Sequence, residues 1–127
     1  MRSQISKYQV EKKYQENWVN GLNQMRTLFG AESIEYQRFL CLAIKELLEF
    51  RDHYAKARHE NCAINMHHAR HKIRVTLSFF GGEFWCDRLK NGTFIEQEVD
   101  LLRMHEWLTA LTSFLETEQK KICVTVS

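Results

Sequence analysis

The chain contains no proline, and its four cysteines form no Cys-x-x-Cys pair. Because no proline ring can break a helix, glycine supplies the breaks between segments. Widely separated cysteines are typical of free thiols in a reducing compartment, not of a disulfide framework or a zinc site. They are Cys41, Cys62, Cys86 and Cys123.

An excess of one charge and long apolar runs are also missing. The 18 lysines and arginines oppose 16 aspartates and glutamates, for a formal net charge of +2. This balance argues against nucleic acid or an anionic membrane as the main partner. No apolar run is long enough to span a bilayer, and the N-terminus does not resemble a signal peptide. We therefore expect a cytoplasmic protein with no nucleic-acid partner and no direct membrane contact.

Helical periodicity dominates the chain. Its 127 residues, 44% of them hydrophobic and 27% charged, predict a single globular domain over residues 1–127. The apolar spacing predicts an all-α protein with helices at about 4–29, 33–58, 61–80, 83–90 and 94–121. Residues after Lys121 resemble a frayed or weakly extended tail. Four glycines fall near predicted helix ends, whereas Gly21 lies inside the first helix.

One apolar stripe on each long helix is predicted to form the core of an antiparallel bundle. The core is expected to span about 33–121, with the helix at about 4–29 added at the N-terminus. The stripes are Tyr14, Trp18, Leu22, Met25 and Phe29; Tyr36, Leu40, Ala43, Leu47, Phe50 and Tyr54; Met66, Ala69, Ile73, Leu77 and Phe80; and Leu101, Met104, Leu108, Leu111 and Leu115.

The third predicted helix carries the residues best suited to chemistry. At about 100° per residue, Ile73 lies roughly 160° from His71, on the opposite face. An exposed imidazole is a nucleophile near neutral pH. Arg74 would place a positive charge beside an incoming phosphoryl group, and the small Ser78 leaves room for it. The residues sharing the face of His71 are His67, His68, Arg74, Val75 and Ser78.

The run from His71 to Gly81 resembles the phospho-acceptor motif of histidine-phosphotransfer (HPt) domains. In that motif a leucine-like, a basic, a large apolar and a glycine residue follow the histidine at plus two, plus three, plus nine and plus ten. The matching residues here are Ile73, Arg74, Phe80 and Gly81. The resemblance covers about residues 33–120. It implies an antiparallel four-helix bundle with an additional N-terminal helix and a short helix after the phospho-acceptor helix.

The resemblance also implies a function. His71 would accept a phosphoryl group from a receiver-domain aspartate and pass it to another, with Arg74 assisting and with His67, His68, Val75 and Ser78 contacting the partner. The partners implied are response-regulator receiver domains and a hybrid sensor histidine kinase. The chain would be a monomeric relay intermediate, not an autonomous enzyme. It would need no cofactor of its own, since the magnesium is expected on the receiver. Gly81 and Gly82 are predicted to form the turn after the third helix.

One departure from the motif leaves alternatives open. Val75 occupies the plus-four position, where the family has a glycine that keeps the histidine accessible. A degenerate module that binds a receiver or kinase without carrying phosphate is therefore the second interpretation. His68 as the acceptor fits the spacing less well. His67 and His71 have metal-ligand spacing, but no third ligand is evident, so no metal site is predicted.

Overall fold

A computed structural model describes the backbone of residues 2–91 and 93–126 and the side chains of residues 14–91, 93 and 96–122. Within these ranges the protein is all-helical and contains no strand. None of the described helices is both long and apolar enough to cross a membrane. The five helices are α1 (Arg2–Phe29), α2 (Ile34–His59), α3 (Ala63–Phe79), α4 (Phe84–Asn91) and α5 (Phe94–Val126).

Local sequence signals explain where two of the helices, α2 and α5, begin. The Ser33 hydroxyl accepts a hydrogen bond from the Tyr36 backbone N–H at 3.1 Å and so caps α2. Thr93 caps the start of α5 with its side chain. There the Thr93 hydroxyl accepts from the Glu96 N–H at 3.2 Å and donates to the Glu96 carboxylate at 2.9 Å.

Helix α2 lies between α3 and α5. The Arg70 guanidinium of α3 donates to the Tyr54 hydroxyl of α2 at 3.2 Å, and the ring of Phe79 meets Phe39 with centroids 5.7 Å apart. Residue numbers therefore fall along α3 as they rise along α2, so the two helices are antiparallel. Helix α5 is antiparallel to α2 as well, since Arg58 pairs with Glu98 at 2.7 Å near one end and the Gln119 side-chain amide donates to the Cys41 sulfur near the other.

Helix α1 packs across the other four. The ring of Trp18 lies 5.8 Å from Trp107 of α5, and Tyr14 stacks on Phe84 of α4 at 6.1 Å. An Arg26–Glu118 ion pair joins α1 to α5 further along. These contacts bring the aromatic residues of α1, α4 and α5 together beside the end of α3.

The predicted stripes form the core with one exception. All six stripe residues of α2 are buried, as are Trp18, Leu22 and Met25 of α1. Tyr14, Met66, Ala69 and Leu101 are half-buried against the same cluster; the remaining stripe residues of α3 and α5 are buried. The prediction that Phe29 is part of the core is wrong, since this residue is 39% exposed. It is the last residue of α1, and the chain turns away at Gly30, whose φ is +92°.

The predicted tail after Lys121 is also wrong, because α5 continues as helix to Val126. Strand-like alternation over residues 122–126 suggests extended backbone, and the β-branched residues there have low helix propensity. However, neither glycine nor proline interrupts this segment. Adding residues to an existing helix costs far less than nucleating a new one.

Candidate functional site

The outer face of α3 displays the predicted site. His67, His68 and His71 are exposed, as are Arg74, Val75 and Ser78. Behind them Ile73 and Leu77 are 3% and 0% exposed and belong to the core. The half-turn between exposed and buried residues is the separation that helical periodicity predicts. The sequence therefore placed all six side chains on the correct face.

A polar contact also fixes α3 behind this face. The hydroxyl of Thr76, a buried residue, donates to a Glu46 carboxylate oxygen of α2 at 2.5 Å. A hydrogen bond to a charged acceptor is stronger than one between neutral groups. Together with the burial of Ile73 and Leu77 it limits motion of the backbone that carries His71.

The His71 imidazole projects from this support. Its ring lies 6.3 Å from that of His67, one turn earlier, with only 19° between the ring planes. The ring makes no hydrogen bond to any side chain or backbone group in the described part of the chain. Both ring nitrogens are therefore accessible to a phosphoryl donor or to another ligand that approaches from solvent.

Arg74 is held by a residue that the sequence did not reveal. Its guanidinium donates to a carboxylate oxygen of Asp87, in α4, at 3.2 Å. This hydrogen bond is the largest cause of a raised pKa for Arg74, which stays a cation. Since both side chains are exposed, the pair is weak and screened by salt. An incoming anion can therefore compete with Asp87 for the guanidinium.

Val75 and Ser78 shape the rest of the face. Val75 is 66% exposed, an apolar side chain directed to solvent one turn after His71. The Ser78 hydroxyl donates to the Val75 carbonyl oxygen at 2.5 Å and so lies against the helix. Ser78 therefore does not obstruct the approach to His71, whereas the branched Val75 side chain projects into solvent beside it.

The two glycines after α3 form the predicted turn. Gly81 has a φ of +69°, in the left-handed region that favours glycine. The Gly82 N–H donates to the Leu77 carbonyl at 2.9 Å and closes the end of the helix. A Cβ at Gly82 would lie 2.3 Å from Cη2 of Trp107, so a larger residue does not fit. This turn brings α4, and with it Asp87, beside Arg74.

Metal ligands and cysteines are the other groups that could carry chemistry. No group of three or more His, Cys, Asp or Glu side chains in the described part of the chain is arranged to hold a metal ion. Cys41, Cys62 and Cys86 are free thiols, whereas the side chain of Cys123 lies outside the described residues. Burial is the main cause of a raised pKa at Cys86, which keeps that thiol protonated and unreactive.

Comparison with known proteins found no matching family model, no similar curated protein and no similar solved structure.

Proposed function

We propose that the protein is a histidine-phosphotransfer module that relays a phosphoryl group between receiver-domain aspartates through His71. The observation that supports this most is the open imidazole of His71 on a helix whose opposite side, at Ile73 and Leu77, is packed in the core. A nucleophile fixed in this way needs only small adjustments to meet a phosphoryl donor in line.

In the proposed reaction one phosphoryl group moves onto His71 in the first step and leaves it in the second. A neutral ring nitrogen of His71 attacks phosphorus, the bond from phosphorus to the donor aspartate breaks, and the carboxylate leaves with the electron pair. In the second step another receiver's aspartate attacks the phosphohistidine and the nitrogen–phosphorus bond breaks. The partner supplies the magnesium ion, whereas Arg74 shares the charge of the transferring group.

The partner surface belongs to the same proposal. His67, His68, Val75 and Ser78 surround His71 and would contact a receiver domain or a hybrid sensor kinase. Val75 gives this face an apolar centre, and the surrounding side chains are polar. Such a surface suits a small, transient interface. A monomer in the cytoplasm, with neither nucleic acid nor membrane as partner, fits this role.

The finer architecture is part of the proposal too. We interpret the fold as an antiparallel four-helix bundle with an additional N-terminal helix and a short helix after α3. The antiparallel pairing of α2 with both α3 and α5 supports this arrangement, as does the position of α4 directly after the glycine turn.

A second candidate function follows from Val75. Its exposed, branched side chain stands where the HPt motif has glycine, and it narrows the approach to His71. A module of this shape would bind a receiver or kinase but carry no phosphate. Docking without phosphorylation is the property that separates this candidate from the first.

Phosphotransfer from labelled receiver domains tests the proposal. A panel of receivers carrying radiolabelled aspartyl phosphate is mixed with the full chain in the presence of Mg²⁺. We expect acid-labile, base-stable label on the wild type and on His59→Gln, a control histidine exposed at the end of α2. His71→Gln should carry none.

The other outcomes are equally specific. Label that persists in His71→Gln but disappears in His68→Gln would identify His68 as the acceptor. A receiver that binds the chain without ever labelling it would favour the degenerate module.

A further inference from the structure

His67 and His71 form a pair of imidazoles with a second possible use. Both are exposed, and residues four apart on a helix lie on the same side, with Cβ atoms about 5–6 Å apart. We propose that this pair is an exchangeable surface site for a borderline divalent metal ion such as Zn²⁺, and that the metal and a phosphoryl group exclude each other at His71.

The ring separation fits a shared metal. With a metal–nitrogen bond of about 2.0–2.1 Å, each ring centroid lies roughly 3.2 Å from the ion, so two ligating rings are at most about 6.4 Å apart. The observed 6.3 Å is within that limit. A bent, tetrahedral arrangement needs the rings about 1 Å closer. Rotation of two exposed side chains supplies this movement without a change in the helix.

The guanidinium groups of Arg70 and Arg74 are directed away from the pair. Arg70 donates to the Tyr54 hydroxyl and its guanidinium lies 6.0 Å from that ring, toward α2. Arg74 is drawn to Asp87 on the side of α4. The two guanidiniums nearest in sequence therefore leave the space between His67 and His71 to a cation.

His68 is not part of the proposed site. Its ring is 6.0 Å from that of His67, but the planes are inclined by 53°, and adjacent helical residues point about 100° apart. With two imidazole ligands, the remaining coordination positions fall to water. This arrangement differs from the structural and catalytic sites, with three or four protein ligands, that the sequence argued against. Such a site binds more weakly and exchanges its ion.

Calorimetric titration of the full chain with Zn²⁺ tests the site directly. We expect His67→Gln and His71→Gln each to lower the affinity at least about tenfold, the lower end of what loss of an outer-shell partner costs a metal site. His68→Gln, one residue away on the same helix, is the matched control and should leave the affinity unchanged. The ring NMR signals of His67 and His71 should shift together on titration.

Three results would overturn the site. They are the absence of Zn²⁺ binding, an affinity that His67→Gln does not alter, and an equal loss in His68→Gln. Because all three substitutions lie on an exposed face, circular dichroism should show the same helix content throughout and so exclude misfolding as the cause.

The competition between Zn²⁺ and a phosphoryl group at His71 rests on the proposed function, and a separate labelling experiment tests it. Phosphoramidate donates its phosphoryl group to a histidine nitrogen and releases ammonia, so it can label His71 without a receiver. Zn²⁺ should slow this labelling in the wild type but not in His67→Gln. Equal slowing in both proteins overturns the competition. If Zn²⁺ binds as expected but His71 is never labelled, the metal site stands and only the phosphotransfer function fails.

Discussion

Replacing Gly21 by alanine should destabilise the protein, although alanine is the better helix former. In an exposed helix interior, the change from glycine to alanine stabilises by about 1 kcal/mol. Here a Cβ would lie 2.1 Å from the Phe79 carbonyl oxygen, whereas Cβ atoms essentially never come closer than 3.0 Å to non-bonded heavy atoms elsewhere in a protein. Helix α1 or the end of α3 must therefore move by roughly 1 Å.

The cost can be worked out from this contact. Inserting a methyl group into a packed site costs about 1–3 kcal/mol, and a backbone oxygen cannot rotate aside, so the upper part of this range applies. After subtracting the propensity gain, we expect a net loss of about 1–2 kcal/mol in the free energy of unfolding. With a denaturant slope of about 2 kcal/mol/M, the urea midpoint should fall by about 0.5–1 M.

Urea unfolding followed by circular dichroism and tryptophan fluorescence measures this effect. Asn20→Ala is the matched control, since Asn20 is the exposed neighbour in the same helix and its replacement should be neutral or slightly stabilising. A Gly21→Ala protein as stable as the control would refute the close packing of α1 on the end of α3.

Three further predictions concern pH and the proposed site. Burial lowers the pKa of His105 below its ordinary 6.5. The positive charge of Arg51 lowers this pKa further, whereas Asp52 opposes the change. As the pH falls, His105 is therefore protonated at a higher pH in the unfolded chain than in the folded protein. Stability should be fully present above pH 6.5 and fall as the pH drops from there to the folded-state pKa. Urea unfolding across this range should show a shallower decline in His105→Gln, and identical slopes would contradict the assignment. Asp87→Asn should release Arg74 and modestly raise the rate at which a receiver labels His71. In an Arg74→Gln background the same substitution should leave the rate unchanged. A drop in the rate would show that Asp87 assists transfer. Val75→Gly should hold or raise the transfer rate, measured by the same labelling, whereas a large loss would place Val75 in the docking surface.

Much of the fold follows from patterns within single helices. The stripe of α2 is buried throughout because its spacing of threes and fours repeats over about five turns without interruption. The errors lie at helix ends. Phe29 keeps the spacing of α1, but the chain turns before it can be covered. At the other end, low propensity alone did not stop α5.

The candidate site divides in the same way. The exposed face of α3 follows from its own periodicity, and the structure places all six predicted side chains there. Asp87 did not follow, because its contact with Arg74 depends on how the Gly81–Gly82 turn directs α4. Gly21 likewise gave no signal beyond being a glycine inside a helix. The group that requires a glycine at this position is the Phe79 carbonyl, which lies in a distant part of the sequence.

Relay between two receiver domains tests the central claim most directly. One receiver carries radiolabelled aspartyl phosphate, a second starts unlabelled, and the chain is added in catalytic amount with Mg²⁺. We predict that label passes from the first receiver to the second only when the chain is present and that His71→Gln abolishes the passage. Passage that continues at the same rate through His71→Gln, or label that never reaches either the chain or the second receiver, would contradict the claim.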